Sequence, residues 1–252
     1  MLKTFIQLTL AIILFPQLLL ANNILFEGYH KVYLQDKHIG FTVSRYEFDA
    51  KTQKFKSTYF LKTHGTGADI TESLKALSNK DLSPVSYEYT SLVGKDSKVI
   101  DAKMQKESLV ATLRENGKAK TIRTQVPKGS FLSSFLIYLI LQNPKGLQAE
   151  TNYQYQAIAE EDGQLHKGEA LFGKEEVKNG FKVFKALNTF KDSKFISYVS
   201  PKGEIIGTEI IGAGLKTELS TDLASAAGEI PKSESLLKTL FGTLPVKSSP
   251  VQ

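Results

Sequence analysis

From residue 55 onward, apolar and polar residues alternate in short runs separated by pairs suited to tight turns. Phe55, Tyr59 and Leu61 alternate with Lys56, Thr58 and Lys62, and Val85, Tyr87 and Tyr89 with Ser86, Glu88 and Thr90. Leu109, Ala111 and Leu113 alternate with Thr112 and Arg114, and Tyr153, Tyr155 and Ala157 with Gln154 and Gln156. A period of two is the signature of a strand with one buried and one wet face. Asn116-Gly117 and Asn179-Gly180 each sit between two such runs. Asn-Gly accepts positive φ at both central positions of a hairpin turn, so each pair marks a hairpin. Asp162-Gly163 and Pro201-Lys202-Gly203 are weaker turns of the same kind. No linker or charge block divides residues 24 to 227, and no internal repeat is visible. The spacing predicts roughly a dozen strands in one antiparallel sheet, enough to curl.

Residues 130 to 144, SFLSSFLIYLILQNP, depart from this pattern, with every residue from Phe135 to Leu141 apolar. Ser130 follows Pro127-Lys128-Gly129 as a natural N-cap, and Asn143-Pro144 is a natural stop. A helix over 130–142 would be roughly 20 Å long, too short to span a bilayer. A helix apolar on all sides must be surrounded on all sides. The expected fold is therefore mainly β: a single antiparallel sheet curled into a half-barrel or open barrel around one apolar helix, 130–142. A buried central strand is the rival reading of this stretch.

Met1-Leu2-Lys3 precedes an apolar run to Leu20 and the boundary Leu19-Leu20-Ala21-Asn22. One early positive charge, an apolar segment and a small residue before a polar one describe a signal peptide, residues 1–21. The expected product is exported, periplasmic or secreted, with a β domain over 22–227. After Gly228, residues Pro231 to Phe241 are expected to form a short helix with Leu236, Leu237, Leu240 and Phe241 on one side; the rest of 228–252 reads as a disordered tail. The chain contains no cysteine, which excludes disulfides, a thiolate metal site, a cysteine nucleophile and a lipid-modified N-terminal cysteine.

The hairpin YHKVYLQDKHIGFTVSRYEF, residues 29–48, places Ile39-Gly40-Phe41 at the start of a second strand. It resembles the opening hairpin of a group of exported bacterial β proteins of unknown function. The order from Val126 to Gly163, a proline, an apolar helix with paired serines and then TNYQYQAIAEEDG, resembles the same group. Those proteins are similar in architecture to outer-membrane lipoprotein carriers, where a sheet wraps an inner helix and holds acyl chains. The resemblance covers residues 29–212. It implies a half-barrel and, by analogy with the carriers, a lipid-like ligand.

No catalytic pattern emerges. Gly-x-Ser-x-Gly is absent, and the Gly65-Thr66-Gly67 and Gly212-Ala213-Gly214 clusters fit bulges or bends of a curled sheet better than a phosphate loop. His30, His38, His64 and His166 are scattered, read as surface residues, and suggest no metal site. Glu160-Glu161-Asp162 reads as a solvated hairpin tip, and Ser133-Ser134 as helix residues bonded to backbone carbonyls or packed on the sheet. No cofactor and no nucleic acid are expected. The leading expectation is a non-enzymatic periplasmic binding or carrier module for a hydrophobic or amphipathic ligand, with Phe135, Tyr138 and Leu139 lining the cavity and Phe131 nearer its mouth. Residues 113–129 are basic; Arg114, Lys118, Lys120 and Arg123 could meet anionic envelope material, with peripheral membrane contact at most, or simply protect an edge strand. A second expectation is an envelope scaffold with a filled core, binding a protein partner through an exposed edge or the tail. An enzyme of unknown class ranks third.

Overall fold

The Asn-Gly turns set the meander. Asn116 and Gly117 adopt φ of 47° and 82°, and Asn179 and Gly180 adopt 52° and 83°, the mirror-image turn that matches strand twist. In the computed structural model, residues 23–65, 69–244 and 247–249 are described. The first half of the sheet is β1 (Asn23–Leu34), β2 (Lys37–Asp49), β3 (Lys54–Thr63), β4 (Ile70–Asn79), β5 (Pro84–Val93), β6 (Asp96–Gln105), β7 (Ser108–Glu115) and β8 (Lys118–Gln125). The second is β9 (Phe131–Leu132), β10 (Thr151–Ala159), β11 (Gln164–Lys178), β12 (Phe181–Phe190), β13 (Ser193–Val199), β14 (Ile205–Ile210) and β15 (Leu215–Ser220). All fifteen form one sheet, ordered from β8 back to β1, then from β15 back to β9. The two halves join where β15 pairs antiparallel with β1, Leu34 facing Leu215 and Tyr29 facing Ser220.

The sheet is large but its ladder does not close, since β8 and β9 end it on either side. The edges are brought together by a side chain: the Thr124 hydroxyl of β8 donates to the Gly163 carbonyl in the β10–β11 turn, 2.7 Å away. The basic segment is thus an edge, where charge discourages pairing with other sheets.

The apolar stretch is not one helix over 130–142. Phe131 and Leu132 are extended and pair in parallel with Ala157 and Ile158 of β10. A 3-10 turn follows at Ser133–Phe135, then α1 (Leu136–Leu141) of six residues. Pairing with β10 satisfies buried backbone groups that a longer helix would have had to cap, so it draws the N-terminal part into strand. Ser130 caps nothing; its hydroxyl is buried without a hydrogen-bond partner among the described residues. The stretch is apolar throughout because it meets both halves of the sheet. Phe131, Leu132, Phe135 and Tyr138 pack with Leu74, Tyr87, Ile100 and Leu109 of the first half. Ile140 packs with Ala170, Phe172 and Ala186 of the second. Each such side chain contributes about 1.5–3 kcal/mol of burial.

The C-terminal segment covers the opposite face. α2 (Leu223–Ala227) and α3 (Glu234–Phe241) bring Ala226, Ala227, Leu237 and Phe241 onto Tyr29, Phe41, Val43 and Phe60. Leu236 points away and is exposed. Arg45 holds this segment: it pairs with Glu27 and donates to the carbonyls of Phe241 and Thr243, each at 2.7 Å. Farther on, Ser248 and Ser249 bond to β1 through the backbone N–H groups of Tyr29 and Glu27. The expected signal peptide lies outside the described residues, as do Thr66 and Gly67. Gly212 and Gly214, expected at a bulge or bend, instead have positive φ in the tight β14–β15 turn.

Candidate functional site

Alternating strand direction gives the curled sheet two ends. At one lie the β2–β3, β4–β5 and β13–β14 turns, and here α1 acts as a plug. Gln142 donates to the Lys80 carbonyl at 2.7 Å, the Tyr138 ring lies 5.0 Å from Tyr46 and 6.0 Å from Phe55, and Gly203 fits under Leu141 and Ile137. At the other end residues of β1, β2, β3, β4, β14 and β15 line an open cleft of about 420 Å³. Its volume lies within the range of small-molecule sites.

Val32, Leu34, Ile39, Leu61, Ile70, Ile210 and Leu215 supply the apolar lining, interleaved with threonines and Tyr59. The lining follows from register. Leu34 faces Leu215, which faces Ile210; one step deeper, Val32 faces Thr217, which faces Thr208. The two threonine hydroxyls bond to each other at 2.9 Å, so neither opposes the apolar wall. At the rim, Lys216 is held by Asp36 at 2.7 Å and Glu218 at 3.6 Å.

Beside the cleft the wall becomes polar. Across β2 to β6 one row reads Thr42, Leu61, Glu72, Ser91, Lys98. Burial holds the Glu72 carboxyl above its ordinary pKa, although it accepts hydrogen bonds from Tyr89 at 3.1 Å and Ser91 at 3.4 Å. Burial also raises the Tyr59 hydroxyl, with nearby Glu72 adding to the effect. At the end of this row His30 is fully enclosed; burial pushes its pKa down to about 4. Its Nε2 lies 2.8 Å from the Ile205 carbonyl, which fixes the proton there and leaves Nδ1 to accept from Thr42, 3.4 Å away. The cleft therefore offers an apolar body with threonine and tyrosine hydroxyls in its lining, an arrangement suited to an amphipathic molecule.

Two other depressions are more polar. One of about 1000 Å³ beside the plug is lined largely by turn residues such as Gln53, Asn79, Lys80 and Asp81. A groove of about 680 Å³ between Lys128–Ser130 and β10–β12 carries Gln154, Gln156, Lys167 and Glu169. The apolar cleft is smaller than either, but its chemistry fits a hydrophobic ligand better.

The residues expected to line a cavity lie elsewhere. Phe131, Phe135 and Tyr138 are 1%, 0% and 7% exposed within the packed core, and Leu139 packs on the same cluster. None lines the cleft at the open end. Arg114, Lys118, Lys120 and Arg123 are all exposed on β7 and β8, with Arg114 paired to Asp101 at 2.5 Å. His30 is not a surface residue, and Glu160 is no solvated tip: it is 4% exposed, accepting from the Ser133 hydroxyl at 2.5 Å and the Ser134 N–H at 3.1 Å. Burial raises the Glu160 pKa. The adjacent serines of the apolar stretch were the signal for this buried acceptor.

No family model matches the chain, and no curated protein matches it. Among solved structures, a β-barrel-like protein of the domain of unknown function DUF1849 from Brucella abortus is similar, with a TM-score of 0.53 and 11% identity, covering 77% of this chain and 95% of that one. A DUF1089 family protein from Pseudomonas aeruginosa matches at a TM-score of 0.38 and 9% identity over 70% of this chain and 91% of its own. The first likeness shows the fold: a mainly β, barrel-like architecture found in bacterial proteins of unknown function.

Proposed function

We propose that this chain is a non-enzymatic binding or carrier module of the bacterial cell envelope that holds a hydrophobic or amphipathic, lipid-like ligand at the open end of its sheet. The observation that carries this reading is the cleft of about 420 Å³ with seven aliphatic side chains in its lining. Aliphatic walls lose water when an acyl-like chain enters, at roughly 25 cal/mol per Å² of apolar surface removed. The threonines and Tyr59 in the same lining support an amphipathic rather than a purely hydrocarbon ligand. An exported, periplasmic location fits the leader-like first 21 residues, and the analogy with lipoprotein carriers fits the barrel-like sheet.

The test is binding of a fluorescent fatty acid to the purified protein and to Leu61→Trp and Ile70→Trp, which fill the cleft from adjacent strands. Saturable binding that either filled variant loses, while unfolding like the wild type, supports the proposal. No binding by the wild type, or equal binding by both variants, overturns it.

A second reading, an envelope scaffold, draws on the filled interior around α1, where Phe135 and Leu132 have no exposed surface. It gains if the wild-type protein binds no probe while a protein partner engages the β8 edge.

A further inference from the structure

The ladder of the sheet ends at β8, which has β7 on one side and no strand on the other. The opposite end, β9, is only two residues long and both are buried. β8 pairs with β7 in unbroken register, from Glu115 facing Lys118 to Ser108 facing Gln125. In a two-residue hairpin the closing pair exchanges backbone hydrogen bonds, and so does every second pair after it. That parity persists past the strand, where the Val126 N–H donates to the Glu107 carbonyl at 2.9 Å. Lys118, Lys120 and Ile122 therefore bond to β7, whereas Ala119, Thr121 and Arg123 turn their N–H and C=O groups to the open side. All three are exposed, and the tie from Thr124 to Gly163 closes the edge only beyond them. An open edge is a template for another strand, and native sheets blunt it with proline, bulges, short length or charge. β8 has eight residues with neither proline nor bulge, so charge is its one device: Lys118, Lys120 and Arg123, with no acid in the strand. None of these three has an ion-pair partner among the described residues, although Glu115 faces Lys118 in register, while Arg114 of β7 is held by Asp101 at 2.5 Å. Unpaired cations on an open edge repel a second copy of that edge and favour a strand that carries carboxylates.

We propose that β8 docks an acidic, extended segment of a partner protein, which adds to the sheet as a strand beside Lys118, Lys120 and Arg123. Ala119, Thr121 and Arg123 offer it backbone donors and acceptors at every second position. Opposed residues share a face, so carboxylates opposite Lys118, Lys120 and Arg123 and an aliphatic residue opposite half-buried Ile122 complete the match. A polyanion without a peptide backbone meets the cations but leaves the N–H and C=O groups of the edge unpaired. The inference goes beyond the cleft and stands whether or not the cleft takes a fatty acid.

The experiment is an NMR titration of the full chain with the capped peptide Glu-Val-Thr-Glu-Thr-Glu, which in antiparallel register sets its carboxylates opposite those cations, and with a counterpart bearing Lys in place of Glu. The expected result is saturable shifts along β8 with the acidic peptide. Amide exchange at Ala119, Thr121 and Arg123 should slow roughly tenfold when about nine-tenths of the edge is occupied, with Lys120 and Ile122 unchanged. Thr121→Pro removes an outward N–H and spares the ladder to β7. It should unfold in urea like the wild type and bind the acidic peptide roughly tenfold more weakly, while polyphosphate binds both proteins alike. Lys118→Glu with Lys120→Glu leaves the backbone untouched and should reverse the preference, taking the lysine peptide instead. The fatty-acid probe should bind these variants as it binds the wild type, so failure of the edge and failure of the cleft are read separately. Absence of saturable shifts, shifts without slowed exchange, equal binding by a folded Thr121→Pro, or an unchanged preference in the charge-reversed variant would each overturn the inference.

Discussion

His30, buried beside Thr42 of the cleft lining, makes the stability of the fold dependent on pH, and the size of the effect follows from its enclosure. Burial lowers its pKa from an ordinary 6.5 to about 4. Above pH 6.5 the imidazole is neutral whether the chain is folded or not, and it contributes no pH dependence. As the pH falls further, the unfolded chain takes up a proton that the folded one refuses, so stability is lost down to about pH 4. Two and a half pH units at about 1.36 kcal/mol each give a loss of about 3 kcal/mol. Glu72 and Glu160 act in the opposite sense. Their raised pKa values mean that the folded state holds its protons longer, so their contribution weakens as pH rises and returns as pH falls. Replacing His30 by Gln removes the first effect and retains the second. Urea unfolding of both proteins at pH 7.5, 5.5 and 4 therefore isolates the histidine. The wild type should lose about 3 kcal/mol relative to H30Q between the highest and lowest pH. A constant gap between the two proteins, or an NMR titration of His30 with a midpoint near 6.5, would show that burial does not hold the imidazole neutral.

Arg45→Ala leaves the Glu27 carboxylate, 8% exposed, without its guanidinium and frees the carbonyls of Phe241 and Thr243. It should cost about 3–5 kcal/mol in urea unfolding and speed proteolysis after α3. Phe135→Ala opens a hole in the packed plug and should cost about 3–5 kcal/mol, while fatty-acid affinity at the opposite end stays within about twofold. Gly168 lies under the Tyr155 ring, where a side chain would collide with it; Gly168→Ala should cost about 1–3 kcal/mol by thermal unfolding.

The sheet was legible because hairpin turns and strand periodicity are local. Asn116-Gly117 and Asn179-Gly180 announce two of its turns, and the alternation around Tyr87 or Leu109 gives the faces of β5 and β7. Turns without glycine are marked more weakly: the hairpin over 29–48 was expected, yet Gln35 and Asp36 both take positive φ at its turn, a conformation their identities only weakly suggest. The pairing of β1 with β15, which creates the open end, joins residues nearly two hundred positions apart and leaves no periodic trace. Greasiness drew the expected cavity to the buried stretch rather than to the cleft. FLIYLIL is apolar because it is packed from two sides, whereas the cleft draws on seven aliphatic residues spread over six strands, each ordinary in its own strand. Glu160 and His30 were misread for a related reason, since polarity in sequence gives no view of the partners that allow burial.

On the proposed reading a lipid-like ligand sits at the open end and not around the plug. Titrating a fatty acid into protein labelled at Ile, Leu and Val methyl groups and following each by NMR tests this directly. Saturable shifts are expected at Val32, Leu34, Leu61, Ile70, Ile210 and Leu215, with the methyls of Leu136, Leu139 and Ile140 unmoved. Shifts confined to the α1 methyls, or no shift at saturating fatty acid, would contradict it.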